Sequence, residues 1–291
     1  MIGNRPQPRK RRQRRGFAFA MVILLMLVVS MGVGLAMTRF TAQARTVARQ
    51  TEKYRQHHLG RGLQEAVGAW LRQQNGRELH EALDPETGHA MDIVLADGSE
   101  VAVFLRDAQG AALSNLTGLG EREIEEGGLL LRNLAAATSE NQYLRQTRPF
   151  GPFRVSIESA PDAVLEAAAR VVAGNLADRL LVELHALRDQ IEPISRTELT
   201  RAATSAGLDS EQRAGMFRIF ATDVELWAVI IEVRAGRGAR SGRLMSTYGG
   251  VTRIRTSNRS RGGNPMELGA FITWRELEMD ASQRVDFSQL Y

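Results

Sequence analysis

The 291-residue chain contains no cysteine. Disulfides, thiolate metal sites and a cysteine nucleophile are thereby excluded, and stability in an oxidising compartment has to come from a packed core. The 43% hydrophobic content is enough to build one. Catalytic and nucleotide-binding signatures are missing as well: no Gly-x-Ser-x-Gly, Walker loop or His-Glu-x-x-His occurs. The five histidines (His57, His58, His80, His89 and His185) show no metal-ligand spacing and read as solvated or capping side chains. No repeat period is visible. Two further absences sit side by side. The first 15 residues hold no acid, and the 22 residues from Phe17 to Thr38 hold no charge of either sign.

The charge-free run organises the rest of the chain. As a helix, at about 1.5 Å per residue, it covers roughly 33 Å, enough for the hydrocarbon core of a bilayer. Seven cations precede it (Arg5, Arg9, Lys10, Arg11, Arg12, Arg14 and Arg15). They place that flank in the cytoplasm and everything after Arg39 on the far side. A cleaved secretory signal would have a shorter apolar region and a small-x-small cleavage site. Here the run continues without a turn former into Arg39–Arg45. The net charge of +5 belongs to the leader, since subtracting its seven cations leaves −2 for residues 16–291. The exported body therefore has no global attraction for nucleic acid or anionic lipid.

From Arg39 to about Gln74 the pattern stays helical and becomes amphipathic, with Val47, Leu59, Leu63, Val67, Trp70 and Leu71 mostly at three- and four-residue steps. Gly60 and Gly62 are a weak point, and Asn75-Gly76 is a plausible terminator. Met91–Leu105 reads as a hairpin around Asp97-Gly98, followed by a turn at Asp107–Gly110. Residues 118–148 read as a loop with one short helix at most, and Arg154–Glu158 as a short strand. From Pro161 the period is helical again. Helices are expected after Pro161, over Asn175–Leu187, from the capping box Ser195–Glu198 to Ala206, and from Asp209 to near Phe220. Strands are expected at Asp223–Val233, Arg243–Tyr248, Gly250–Thr256 and Leu268–Trp274. Basic, Gly-rich 234–243 and Asn258–Pro265 are expected as connections, and a frayed tail follows Arg275. Gly236–Gly242 reads as a hairpin loop rather than a phosphate loop, because no convincing helix follows it. Ser30 and Gly34 fit close helix packing and ordinary membrane composition equally.

At Gly16-Phe17 the leader, a glycine, a phenylalanine and the apolar helix meet. This junction resembles the class III signal of type IV pilins and type II secretion pseudopilins. The resemblance implies cleavage by a prepilin peptidase between Gly16 and Phe17, with methylation of the new N-terminus. Most pilins carry glutamate five residues after the cut, where Met21 stands here, and its absence is characteristic of the K-type minor pseudopilin. Val103–Asn115 and Val155–Leu165 resemble two strand-turn segments of that family. The family's second segment usually carries two asparagines where this chain has Ser156 and Glu158, and its acidic calcium-associated signature survives at most as Glu140–Tyr143. No calcium site is carried over.

The resemblance implies an α+β fold with a long N-terminal transmembrane and amphipathic helix, an antiparallel pilin-like sheet and an inserted small helical, SAM-like bundle. The implied divisions are a leader at 1–16, the helix at 17–38 and 39–74, sheet-domain parts at 75–160 and 223–291, and the bundle at 161–222. A non-enzymatic, cofactor-free minor pseudopilin follows from it, single-pass in the inner membrane with its body in the periplasm. It would form the tip that initiates a pseudopilus. The implied partners are the I- and J-type minor pseudopilins, the major pseudopilin, the prepilin peptidase, the inner-membrane secretion platform and the membrane, with no nucleic acid. A membrane-anchored sensor or anchoring protein that keeps its leader, and a minor pilin for adhesion or DNA uptake, are the alternatives.

Overall fold

The computed structural model describes residues 15–190, 194–236, 242–254 and 269–277. The leader before residue 15, the centre of the basic connection at 237–241, the loop at Asn258–Pro265 and the tail from 278 lie outside the described residues. Contacts group the chain into two units, Met1–Leu59 and Gly60–Tyr291.

Helix α1 runs unbroken from Arg15 to Leu71, 57 residues, and so contributes to both units. No proline interrupts it. In the first unit every residue from 18 to 55 is exposed. The hydroxyls of Thr38, Thr41, Thr46 and Thr51 donate to Leu35, Met37, Ala42 and Val47 carbonyls at 2.8–2.9 Å. Each is thus satisfied within its own helix.

The second unit is α+β. Its sheet has the order β1-β2-β7-β8-β9, antiparallel throughout, formed by β1 (His89–Val94), β2 (Glu100–Asp107), β7 (Leu226–Ala235), β8 (Arg243–Arg253) and β9 (Phe271–Glu276). The Asp97-Gly98 hairpin forms as its sequence indicates, with Gly98 at φ 82° and the Asp97 carboxylate accepting from Ser99 N at 3.0 Å. Central β7 is buried on both faces along Leu226–Val233, which explains a nearly continuous apolar run instead of clean alternation. Arg243–Arg253 forms one strand, where two weaker strands were expected. Gly249 and Gly250 sit inside it, paired with Ile230 and Val229. At Gly250 a Cβ would meet Thr273 O at 2.4 Å, so the glycine permits close approach of β9 and does not mark a break.

The end of α1 packs on this sheet through Gly60, Leu63, Val67, Gly68 and Leu71, all buried. Gly60 and Gly62 do not interrupt the helix. Gly60 instead fits against the ring of Tyr248 on β8, and Gly68 lies against the backbone carbonyl of Gly269. Asn75 is not simply a terminator: it caps the next helix, α2 (Gly76–Ala82), by accepting from Glu78 N at 2.8 Å.

Between β2 and β7 the chain builds a helical cluster. Residues 118–148 are not a loop, because α3 (Glu121–Ala137) and α4 (Glu140–Arg145) occupy most of them. Helix α3 begins with Glu121 and Glu123 in its first turn, the latter accepting from Gly120 N at 3.0 Å, and it buries Gly127, Leu130 and Leu134. Its Gly127-Gly128 pair lowers helix propensity. Gly127 is nonetheless required by packing, since a Cβ there would lie 2.7 Å from Leu116. Helices α5 (Asp162–Ala173), α6 (Ala177–Arg188), α7 (Arg196–Ser205) and α8 (Ser210–Ile219) match the expected order. Ser195 and Asp209 cap α7 and α8, accepting from Glu198 N at 3.3 Å and Gln212 N at 2.8 Å. Leu130 and Leu134 join Leu165, Leu180, Leu184, Leu199, Met216 and Phe220 in one core, so the cluster reaches back before residue 161. Two short parallel pairs complete the second unit, β3 (Ala112–Leu113) with β4 (Thr147–Arg148) and β5 (Val155–Ser156) with β6 (Phe220–Ala221).

Candidate assembly surface

The three residues singled out at the N-terminus all fall on α1. Gly16 and Phe17 are its second and third residues, and Met21 stands one turn further on with its side chain 58% exposed. Around Met21 the helix presents Phe19, Val22, Ile23, Leu24, Leu25 and Met26, each at least half exposed. Leaving such side chains in water costs roughly 1.5–3 kcal/mol apiece relative to burial. A continuous sleeve of them therefore has to be covered by lipid or by other apolar helices. Among the described residues, this is the one helix long and apolar enough to cross a membrane. With methionine at position 21 the segment carries no carboxylate, whose placement at bilayer depth would cost about 3 kcal/mol or more. Lipid contacts and helix contacts are nearly equivalent for this surface, so lateral exchange from one to the other is inexpensive.

The two body segments that resemble the family come together at one joint. Ser156 N donates to Gln109 O at 3.1 Å, and a Cβ on Gly110 would lie 2.3 Å from Ser159 O. Asp107 caps the turn by accepting from Gln109 N at 2.7 Å, while its Oδ2 is closed off from solvent. Burial pushes its carboxyl above the ordinary aspartate range, opposed by the nearby Ser156 hydroxyl and by the Gln109 N–H. The Gln109 side-chain oxygen accepts from Glu225 N at 2.8 Å and so ties this turn to the approach to β7. Glu158, one of the departures from the usual asparagines, accepts from Ile194 N at 3.1 Å and lies 3.6 Å from His80 of α2. The joint is structural mortar between sheet and helical cluster, and nothing in the spacing of the sequence revealed it.

Arg148 was also missed. It is fully buried in a cage of main-chain carbonyls, donating to Ala111, Phe150, Pro152 and Arg154. Its only sequence signal is the neighbouring Pro149–Phe153 turn, which gathers those carbonyls. Of the histidines, His89 pairs with Asp92 at 2.9 Å and His57 stacks edge-on to His58. Among the described residues no group of three or more His, Asp or Glu is placed to hold a metal. Glu140–Tyr143 forms most of α4.

No protein-family model matches the chain, and no curated protein does. Among solved structures it is similar to a chain of the GspK–GspI–GspJ complex of the type 2 secretion system of enterotoxigenic Escherichia coli. The TM-score is 0.43 at 11% identity, over 80% of this chain and 99% of that one.

Proposed function

We propose that this chain is a non-enzymatic, K-type minor pseudopilin of a type II secretion system. It is inserted in the inner membrane with the leader inside and the body outside, cut between Gly16 and Phe17, and methylated on the new N-terminus. It then leaves the lipid sideways to pack its helix against the other minor subunits. The observation that carries this reading is the abutment of seven leader cations, Gly16-Phe17 and a charge-free run of 22 residues, with Met21 where the family's glutamate would stand. An uncovered apolar sleeve on α1 suits lateral transfer between lipid and neighbouring helices. Without a carboxylate at position 21 the subunit has no acid to pair with the N-terminal amine of a subunit above it, which favours the apical position.

The proposed partners are the I- and J-type minor subunits, the major pseudopilin, the prepilin peptidase and the secretion platform. Deletion of the gene separates secretion from pilus biogenesis. Retention of secreted enzymes in the periplasm with intact pili supports the reading, and loss of pili with normal secretion contradicts it. The Met21→Glu variant tests the apical position: it is expected to enter filaments at internal sites, whereas the native chain is found only at ends.

A further inference from the structure

Beyond the apolar run, α1 carries Arg45, Arg49 and Lys53 at four-residue intervals. Side chains so spaced share one helix face, one turn above another. All three are exposed, and none has a hydrogen-bond or ion-pair partner among the described residues. Glu52 is the one acid between Arg39 and Arg61. Like charges one turn apart repel, so the ladder does nothing for the isolated helix.

We propose that this ladder docks an acidic helix of a different chain, running alongside α1 just outside the membrane. The inference rests on the assembly role proposed above and specifies the chemistry of its partner. Distance argues against lipid as the occupant. Counting about 1.5 Å per residue from Thr38, the three cations stand roughly 10, 16 and 22 Å beyond the hydrocarbon core. The headgroup layer takes up about 5–8 Å of that. Screening removes most of the remainder within about 8 Å, so headgroups reach Arg45 and leave Lys53 unanswered. Composition argues against a second copy. Parallel copies in register would set cation against cation at all three levels, with only Glu52 to offset them. A helix with Asp or Glu at the same four-residue steps answers all three. Arranged this way, the ladder selects partner and register more than it adds affinity, and it opposes self-pairing.

The absence of cysteine allows a direct test. The full-length chain carrying Ala48→Cys is labelled with donor or acceptor dye and reconstituted in phosphatidylcholine vesicles, with and without a minor fraction of phosphatidylglycerol. A version with Arg45→Glu, Arg49→Glu and Lys53→Glu supplies the acidic helix. Energy transfer in the mixed sample is expected to exceed either homogeneous sample by about fivefold. The excess should vanish at about 0.5 M NaCl. Unchanged helix content by circular dichroism shows that the variant is folded. Equal transfer in mixed and homogeneous samples overturns the proposal. So does an effect seen only as altered enrichment of phosphatidylglycerol around the protein, which would make the membrane surface the partner. The readout is the same whether or not residues 1–16 have been removed, so its failure is distinguishable from failure of the pseudopilin reading.

Discussion

A β-carbon placed on Gly60 would lie 2.5 Å from Cε1 of Tyr248, whose ring stacks on Trp274 at 5.8 Å with an interplanar angle of 4°. The tyrosine is held from behind and cannot swing away freely. Two residues further along the same helix, Gly62 has nothing within 4 Å.

The two glycines should therefore respond oppositely to alanine. Gly62→Ala is expected to stabilise the protein by about 0.5–1 kcal/mol through helix propensity alone. Gly60→Ala gains the same propensity but meets overpacking of about 1–3 kcal/mol, for a net loss. Thermal unfolding of the detergent-solubilised chain reads the sign of each. A shift in the same direction for both contradicts the close approach of α1 to β8.

Arg148 should be among the least replaceable residues in the body. Arg148→Met leaves four carbonyl acceptors in a closed space and is expected to cost about 3 kcal/mol or more in urea unfolding. Arg148→Lys keeps the charge but offers a compact ammonium in place of a planar fork, and should recover only a minor part of that loss. Full recovery by lysine would mean that charge, not the carbonyl cage, is what the site needs.

Much of this body was legible because local chemistry and tertiary demand agree along it. Asp97-Gly98 makes the hairpin, Ser195 and Asp209 cap helices, and the leucines of α6 face the core. Legibility failed where glycine serves packing. Gly127 conceals α3, Gly250 divides β8 on paper, and Gly60 reads as a weak point where it makes a close contact. In each case propensity points one way and a neighbour outside the residue's own helix or strand decides the other. The joint around Asp107 and the cage around Arg148 were invisible for a related reason: their partners are mostly main-chain groups, which carry no sequence identity.

Asp107 gives the fold a definite pH signature. Burial, with Glu158 acting in the same direction, raises its carboxyl above the usual range. Below that range the group is neutral in both folded and unfolded chains and contributes nothing. As pH rises through it the unfolded chain ionises first, so the folded state loses stability until Asp107 ionises in place as well. Asp107→Asn is therefore expected to be more stable than the native chain at neutral pH, with the advantage disappearing on acidification below the ordinary aspartate range. Asp162 should behave in the opposite sense, because its hydrogen bond from Arg188 lowers its carboxyl. The native chain should lose that contribution, relative to Asp162→Asn, as pH falls through the carboxylate range. Urea midpoints measured across pH 3–7 for the three proteins provide the check; parallel profiles would contradict both assignments.

The intact mass of the protein extracted from its native membrane tests the central claim. Loss of residues 1–16 together with one added methyl group is the predicted result, with Phe17 as the new first residue. A chain that retains the leader, or one cut beyond Thr38, contradicts it.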